Sequence, residues 1–281
     1  MNPATGIKKK ILRLNSLLIV FAVVFTSVFP LYWAANTSFK TRNEIFNQEQ
    51  TFFPKTFIFS NYIEVFEGRK FERNILNSVI IAGGTTIFSL SVGLFCAYAL
   101  ARLKFRGKYF VLSAILVVSM FPQISILSPL FILLRNLRLL NTYGGLILPY
   151  TTFSLPLTIW LLTNYFREIP FGLEEAARID GASYYQILSR IILPLAVPGL
   201  VTSGMLVFIQ TWNEFLFALA FTITDKTKTI PVAIAHFQGQ YETPWGTLMA
   251  ATVIVTLPLI ILVLFMQKRI VSGLTAGGIK E

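Results

Sequence analysis

Charged residues are scarce in this 281-residue chain: they make up 13% of the sequence, whereas hydrophobic residues make up 54%. An average soluble domain has about twice that charged share. The chain therefore has too few polar groups to cover a water-facing surface, which argues against a soluble enzyme. It also argues against a nucleic-acid-binding protein, which would need a solvated basic face, although the net charge is +11.

Cysteine and histidine are almost absent. Cys96 is the single cysteine and lies in an apolar run, so the sequence has no disulfide framework and no cysteine metal cluster. His236 is the single histidine, and we interpret it as an ordinary exposed imidazole with no special role. No segment has the form G-x-x-x-x-G-K-[ST], so the chain lacks the phosphate loop of an ATPase. We therefore predict no metal site and no nucleotide site.

Long apolar runs are what the sequence does contain. A membrane span needs about 20 largely apolar residues to cross about 30 Å of hydrocarbon. Glu214 is the one ionisable residue in the stretches that meet this length. We predict an all-α integral membrane protein whose six transmembrane helices lie within residues 14–35, 74–101, 109–134, 139–166, 191–220 and 245–267.

The orientation of the spans follows from where the basic residues lie. The first stretch follows a basic segment, residues 8–13, and its apolar part is longer than the roughly 7 to 15 residues of a signal-peptide core, so we predict a retained span. With the N-terminus inside, the inner segments carry 14 Lys and Arg and the outer segments carry 10. Because positive loops stay in the cytoplasm, we predict that both termini are cytoplasmic.

Prolines and small residues lie in or beside most of the predicted spans. Proline kinks a helix and removes a backbone donor, and small residues allow helices to pack closely. A well-packed static bundle and a bundle that changes conformation both fit this composition.

The segment after the fourth stretch has a clear helical pattern. Pro170 ends the preceding helix, and residues 174–179 favour a short helix with acids near its positive N-terminal end. Gly181 suits the left-handed position after a helix, and Ser183 with Gln186 matches a capping box. We therefore predict two short helices joined by a tight turn, serving either as a docking element or as a simple chain reversal.

The first of these short helices has features that suit docking. Ala176 and Ala177 would give it a bare face that permits close approach of another surface, and Glu175 and Arg178 are spaced to form an ion pair. Residues 167–190 contain three basic and four acidic residues, so this inner segment lacks the excess of positive charge that the inner segments have as a group.

The motif Glu175-Ala176-Ala177-x-x-Asp180-Gly181-Ala182, followed after eleven residues by Pro194, resembles the signature loop of ABC importer permeases. The resemblance extends over almost the whole chain and is greatest to the sugar-uptake branch typified by the smaller maltose permease subunit. It departs at Leu188, where the family usually has an aromatic residue. Other segments that carry the resemblance are 74–78, 97–102, 120–130, 140–145, 212–215 and 273–280.

The resemblance implies a type I ABC importer permease fold. Residues 1–281 would form a single transmembrane permease domain, in which residues 167–193 are the cytoplasmic coupling-helix loop. Contact with the ATPase is expected to depend on Glu174, Glu175, Ala176, Ala177, Arg178, Asp180, Gly181 and Ala182.

The function implied is ATP-driven uptake of a sugar or related carbohydrate by alternating access. The implied partners are a second permease subunit in a heterodimer, two cytoplasmic ATPase subunits and an external sugar-binding protein. The chain itself would be no enzyme and would hold no cofactor, since ATP-Mg is used by the partner ATPase. The expected location is a bacterial or archaeal cell membrane (the inner membrane of a Gram-negative cell), in contact with lipid and not with nucleic acid.

The substrate path is less defined by the sequence. Glu214 could have a gating or substrate role, because an ionisable group in a span is a functional candidate, or it could simply reach the membrane interface. Asn77, Gln210 and Asn213 could bond a sugar hydroxyl or a facing helix. The alternatives left open are an ion-coupled secondary transporter, for which Glu214 would be the sole intramembrane acid, and an ABC permease for a non-sugar solute.

Overall fold

The computed structural model describes residues 3–237 and 242–275, and within these ranges the chain is helical, with no β-strand. Most of the tail motif at 273–280 therefore lies outside the described residues. The α-helices are α1 Pro3–Ser38, α2 Arg42–Ile45, α3 Ser60–Ile63, α4 Phe71–Arg102, α5 Lys108–Val118, α6 Gln123–Asn136, α7 Tyr143–Glu168, α8 Gly172–Ile179, α9 Tyr184–Ile187, α10 Leu193–Leu195, α11 Val197–Trp212, α12 Leu216–Phe221, α13 Ile230–Ala235 and α14 Trp245–Thr275. Two π-helices, Glu64–Gly68 and Leu188–Ile192, follow α3 and α9 directly.

Four of these helices are long and apolar enough to cross a membrane: α1, α4, α7 and α14. Two further pairs of helices reach this length together but are sharply bent. The α5–α6 pair bends by 89°, and the pair formed by Tyr184–Leu195 and α11 bends by 77°. If each bent pair counts as one span, the total is six, as the apolar stretches predict.

The third and fifth predicted stretches are not continuous helices. The third is interrupted between α5 and α6, where Pro122 adopts an extended backbone and precedes α6. The fifth breaks at Ala196, two residues before Pro198 in the first turn of α11, and again between Trp212 and Leu216. Proline lacks the backbone donor that a continuing helix needs, so a new helix starts after Pro122 and beside Pro198, whereas the break after Trp212 contains no proline.

The chain divides into two compact units. The first contains the chain through Lys70 together with His236–Leu257. Its long helix α1 is exposed along most of its apolar length, and the polar segment after it is held by its own side chains: Tyr62 and Ser38 share a hydrogen bond of 2.7 Å. A cation–π contact also places the buried Lys40 ammonium 5.2 Å from the Trp33 ring.

The second unit comprises Phe71–Ala235 and the chain from Pro258 onward. Its centre is the packing of α4 on α7, which brings backbones close at Gly93. A Cβ atom added there would lie only 2.7 Å from the Thr158 Cγ2 methyl. Small residues permit such close approach between membrane helices. Two apolar clusters extend this packing, one near Phe166 and Ile187 and the other near Leu146 and Phe217.

Candidate functional site

The segment at 167–193, here called the 167–193 loop, has the predicted helix–turn–helix form. The helix α8 ends at Ile179, and two residues later Gly181 adopts φ +83; the Gly181 and Ala182 amides donate to carbonyls of α8 at 3.0 and 2.9 Å. The helix α9 begins with the capping box of Ser183 and Gln186, in which both reciprocal hydrogen bonds are present. Both local predictions are confirmed, and the turn is rigid because its backbone groups are satisfied.

The residues of α8 divide between two faces. Glu174 and Ala177 are buried against the chain itself, at 0% and 9% exposure. The opposite face is open, and its apolar tip is Ile179, which is 87% exposed. Residues on this open side of the helix and its turn are Glu175, Ala176, Arg178, Asp180 and Gly181, with Ala182 half-buried.

Two predictions about α8 were therefore wrong. The bare face is not shared by both alanines, because Ala177 packs into the cluster with Phe166 and Ile187. Nor does Arg178 pair with Glu175 in the part of the chain that the structure describes. Its guanidinium lies 4.7 Å from the centre of the Tyr184 ring, a cation–π contact that links α8 to α9.

Burial of Glu174 is compensated by an ion pair with the last residue of α4. The Arg102 Nε lies 2.6 Å from Glu174 Oε1, and the two side chains are 5% and 0% exposed. Arg102 also donates to the Ile169 carbonyl at 2.7 Å, and the Tyr98 hydroxyl donates to Glu174 Oε2 at 3.4 Å. A buried carboxylate without such partners would be strongly unfavourable. Sequence reasoning missed this role of Arg102: the residue lies in the segment 97–102 that carries the resemblance, but nothing in the sequence pairs it with Glu174.

The first turns of α4 hold a second loop. The Asn74 and Asn77 side-chain amides donate to the Lys228 carbonyl at 3.1 and 2.9 Å. The Ser78 hydroxyl accepts from the Ile230 amide at 2.9 Å. Lys228 belongs to the segment between α12 and α13, here called the 222–229 loop. Asn77 also accepts from the Tyr143 hydroxyl at 2.7 Å and is 1% exposed, so its role is to join helices.

The same loop is fixed from another side by Asn141. Its Oδ1 accepts from the Ile223 and Thr224 amides at 3.1 and 3.0 Å and from the Thr227 hydroxyl at 3.0 Å. Its Nδ2 donates to the Thr224 hydroxyl at 2.8 Å. One asparagine thus satisfies four polar groups of the 222–229 loop, which explains why the loop adopts a defined shape.

Glu214 lies in the gap between α11 and α12. Its carboxylate accepts from the Phe217 and Ala218 amides at 2.9 and 3.2 Å and from the Tyr150 hydroxyl. These bonds satisfy backbone donors that the helix break would leave without partners. The carboxylate therefore caps α12, and its oxygens are already engaged by the protein.

The four candidate path residues do not converge on one site. Asn77 and Glu214 bond different residues of α7, and Gln210 and Asn213 are exposed at the end of α11. The Asn213 side chain bonds its own helix, at the Ile209 carbonyl, at 2.8 Å. The described residues contain no group of three or more side chains that could hold a metal ion.

Within the first unit, an acid of the polar segment is held by its neighbours. Glu44 accepts from the Thr51 hydroxyl at 2.6 Å and from the Lys55 amide at 2.9 Å. Burial of the carboxyl opposes ionisation, but these hydrogen bonds and the charges of Lys40 and Lys55 outweigh it and lower the pKa of Glu44. His236, in the same unit, is exposed.

Comparison with known proteins places these features in context. Residues 89–275 match the family described as binding-protein-dependent transport system inner membrane component. The chain is 44% identical to the trehalose transport system permease protein SugB of Mycobacterium tuberculosis, over 92% of this chain and 94% of that protein. It is 42% identical to the trehalose/maltose transport system permease protein MalG of Thermococcus litoralis, over 94% and 96% of the two chains.

A solved structure supports the fold. A chain of a bacterial ABC transporter involved in the import of the acidic polysaccharide alginate superposes with a TM-score of 0.81 at 24% identity, covering 93% of this chain and 97% of that one. The predicted type I permease fold is confirmed, with its helices bent as described above.

Proposed function

Because this chain belongs to the family of binding-protein-dependent transport system inner membrane components, we propose that it is the permease subunit of an ATP-driven importer and that its cargo is a sugar. The relatives named for trehalose and maltose transport support this choice of cargo. The partners in the proposal are a second permease subunit, two ATPase subunits that use ATP-Mg and an external sugar-binding protein.

The observation that carries the proposal is the geometry of the 167–193 loop. A docking surface must be rigid and accessible, and here the Gly181 turn and the Ser183 capping box fix a helix whose outer side is open. Ile179, at the tip, offers an exposed apolar side chain to a partner. The contact with the ATPase then depends on Glu175, Ala176, Asp180 and Gly181, whereas Glu174 and Ala177 hold α8 on the permease itself.

The orientation in the proposal follows from the distribution of basic residues. The N-terminus and the segment between α4 and α5 are basic, which favours the cytoplasm, so the 167–193 loop lies on the same side. The 222–229 loop at the other end of α4 then faces outward.

The test is a pair of substitutions at exposed positions of the loop. We expect Ile179→Asp to abolish sugar transport and reduce ATPase binding when the permease is co-purified with its partners and reconstituted in vesicles. Arg190→Asp, a charge change at the exposed far end of the loop, serves as the control and should retain both. Full transport by Ile179→Asp would contradict the proposed docking surface.

The cargo is tested on the binding protein, because that protein selects what is delivered. A thermal-shift screen with mono- and disaccharides, polyols and amino acids should show stabilisation by a carbohydrate. Stabilisation by amino acids alone would favour the alternative of a permease for a non-sugar solute.

The capped state of Glu214 weighs against a secondary transporter. A carboxylate that carries a coupling ion must release its partners during transport, but Glu214 is engaged by two amides and a tyrosine hydroxyl that complete a helix end. No second acid lies within the predicted spans to replace it. Sugar uptake by the purified chain alone, driven by a proton gradient, would overturn the proposed function.

A further inference from the structure

The helix α4 contacts one loop of the second unit near its start and another at its end. Near its start, Asn74, Asn77 and Ser78 hold the backbone at Lys228 and Ile230. At its end, Arg102 holds Glu174 of α8. From Asn77 to Arg102 the helix rises about 37 Å at 1.5 Å per residue, which exceeds the roughly 30 Å of the hydrocarbon core.

The helix α4 is also suited to move as one piece. Among the four described helices that are long enough to span a membrane, it alone has no internal proline: α1, α7 and α14 contain Pro30, Pro149 with Pro156, and Pro258. Proline is the commonest cause of a sharp helix kink. Close packing at Gly93 against Thr158 further restrains α4 laterally.

Both end contacts are buried. Asn77 is 1% exposed and bonds through both atoms of its amide group, and the Arg102–Glu174 pair is nearly free of solvent. A buried ion pair is lost only at a large cost, because each charge would be left without its partner. The two loops therefore follow α4 when it moves, rather than detaching from it.

We propose that α4 is a rigid connector through which Arg102–Glu174 at one end and Asn77–Lys228 at the other couple the 167–193 loop to the 222–229 loop. The inference rests on the proposed function, in which the first loop meets the ATPase and the second faces outward, the side from which the external binding protein delivers the cargo. Arg102, Glu174 and Asn77 are then positioning residues: arrival of the loaded binding protein at the outer loop shifts α8, and ATP-driven movement of α8 shifts the outer loop.

The first test uses the assembled complex in vesicles and measures how much the loaded binding protein stimulates ATP hydrolysis. Glu174→Gln and Asn77→Ala should each lower this stimulation several-fold while the subunits still co-purify. Because both variants break one connection, the double variant should be no worse than the more severe single one, which is the signature of coupled sites. Ser91→Ala is the control, since Ser91 is exposed on α4 and bonds only its own helix.

The expected rescue separates coupling from general damage. Arg102→Glu should lose stimulation, and adding Glu174→Arg to it should restore part of the loss, because the ion pair is re-formed with reversed charges. The proposal would be overturned if the effects of Glu174→Gln and Asn77→Ala on stimulation multiplied in the double variant. It would also be overturned if Asn77→Ala retained full stimulation. A wild-type complex that shows no stimulation at all would instead contradict the proposed function.

A second measurement does not depend on activity and applies even if a variant assembles poorly. Spin labels at Tyr185→Cys and Lys226→Cys, both exposed, in a Cys96→Ser background report the distance between the two loops. We expect this distance to be the same in the nucleotide-free and ATP-bound states of the labelled complex, in which the contacts of α4 are intact. A shift of several ångströms between the two states would show that α4 does not act as a rigid connector.

Discussion

The hydroxyl of Tyr150 on α7 donates a hydrogen bond to the carboxylate of Glu214, at the point where α11 ends and before α12 begins. The same carboxylate accepts from two backbone amides of α12. This relationship explains why an acid lies within an otherwise apolar stretch. The acid completes the backbone hydrogen bonding of a broken helix and joins it to α7.

Removing the Glu214 carboxylate should destabilise the fold. Glu214→Leu leaves two amides and one hydroxyl without acceptors, each at about 1–3 kcal/mol, so we expect a clear fall in the thermal unfolding temperature in detergent. Glu214→Gln retains one acceptor oxygen, so its unfolding temperature should lie between those of Glu214→Leu and the wild type. Gln210→Leu, an exposed change on α11, is the control. A wild-type unfolding temperature for Glu214→Leu would refute the capping role.

Gly181 should tolerate asparagine but not valine. Its φ of +83 is costly for a β-branched residue, of the order of 1–3 kcal/mol, whereas asparagine visits this region more readily. A Cβ there meets nothing within 4 Å, so the penalty is one of backbone conformation alone. We expect Gly181→Val to insert in the membrane but lose transport-coupled ATP hydrolysis, and Gly181→Asn to retain most of it.

The control for Gly181 is Gly172→Ala, a substitution at the start of α8 where an added Cβ also meets open space. It should transport sugar normally. Normal transport by Gly181→Val would show that the turn geometry is not required for coupling.

Gly93→Ala should destabilise the packing of α4 on α7. The added Cβ would approach Thr158 Cγ2 to 2.7 Å, closer than atoms in contact tolerate. Gly83→Ala, on the same helix, meets nothing within 4 Å and should be neutral or stabilising by up to about 1 kcal/mol, because alanine favours helix. Thr158→Ser removes the opposing methyl group and should restore the stability of Gly93→Ala. Thermal unfolding of Gly93→Ala, Gly83→Ala and the Gly93→Ala/Thr158→Ser double variant measures all three effects.

Glu44 should make the first unit sensitive to acid. Because its pKa is lowered in the folded protein, its ionised form contributes stability above the ordinary carboxyl pKa, and this contribution disappears as the pH falls through the folded value. Glu44→Gln should therefore lower the unfolding temperature at neutral pH. It should also reduce the difference between the unfolding temperatures at neutral pH and at about pH 3, which is below the ordinary carboxyl pKa. Glu49→Gln controls for the loss of a negative charge in the same segment. An unchanged acid sensitivity in Glu44→Gln would contradict this account.

Local features of the candidate site could be predicted because their causes lie within a few residues. The Gly181 turn and the capping box at Ser183 follow from residue types at fixed spacing, and the structure has both. The orientation of α8 could not be read in this way. Which of its residues face inward depends on the cluster that receives Ala177 and on Arg102, which is distant in the chain from Glu174.

By itself the sequence determined the class of the protein: apolar runs of spanning length, a basic asymmetry between loops, and a short helical loop with the signature of a permease. These properties depend on composition and short-range spacing, and they do not require contacts between residues that are distant in the chain. Tertiary structure decided that Glu214 caps α12 and joins it to α7, that Asn77 joins α4 to α7, and that Arg102 holds Glu174. Each of these depends on a polar group finding its partner across helices, in a setting where an unpaired group is costly.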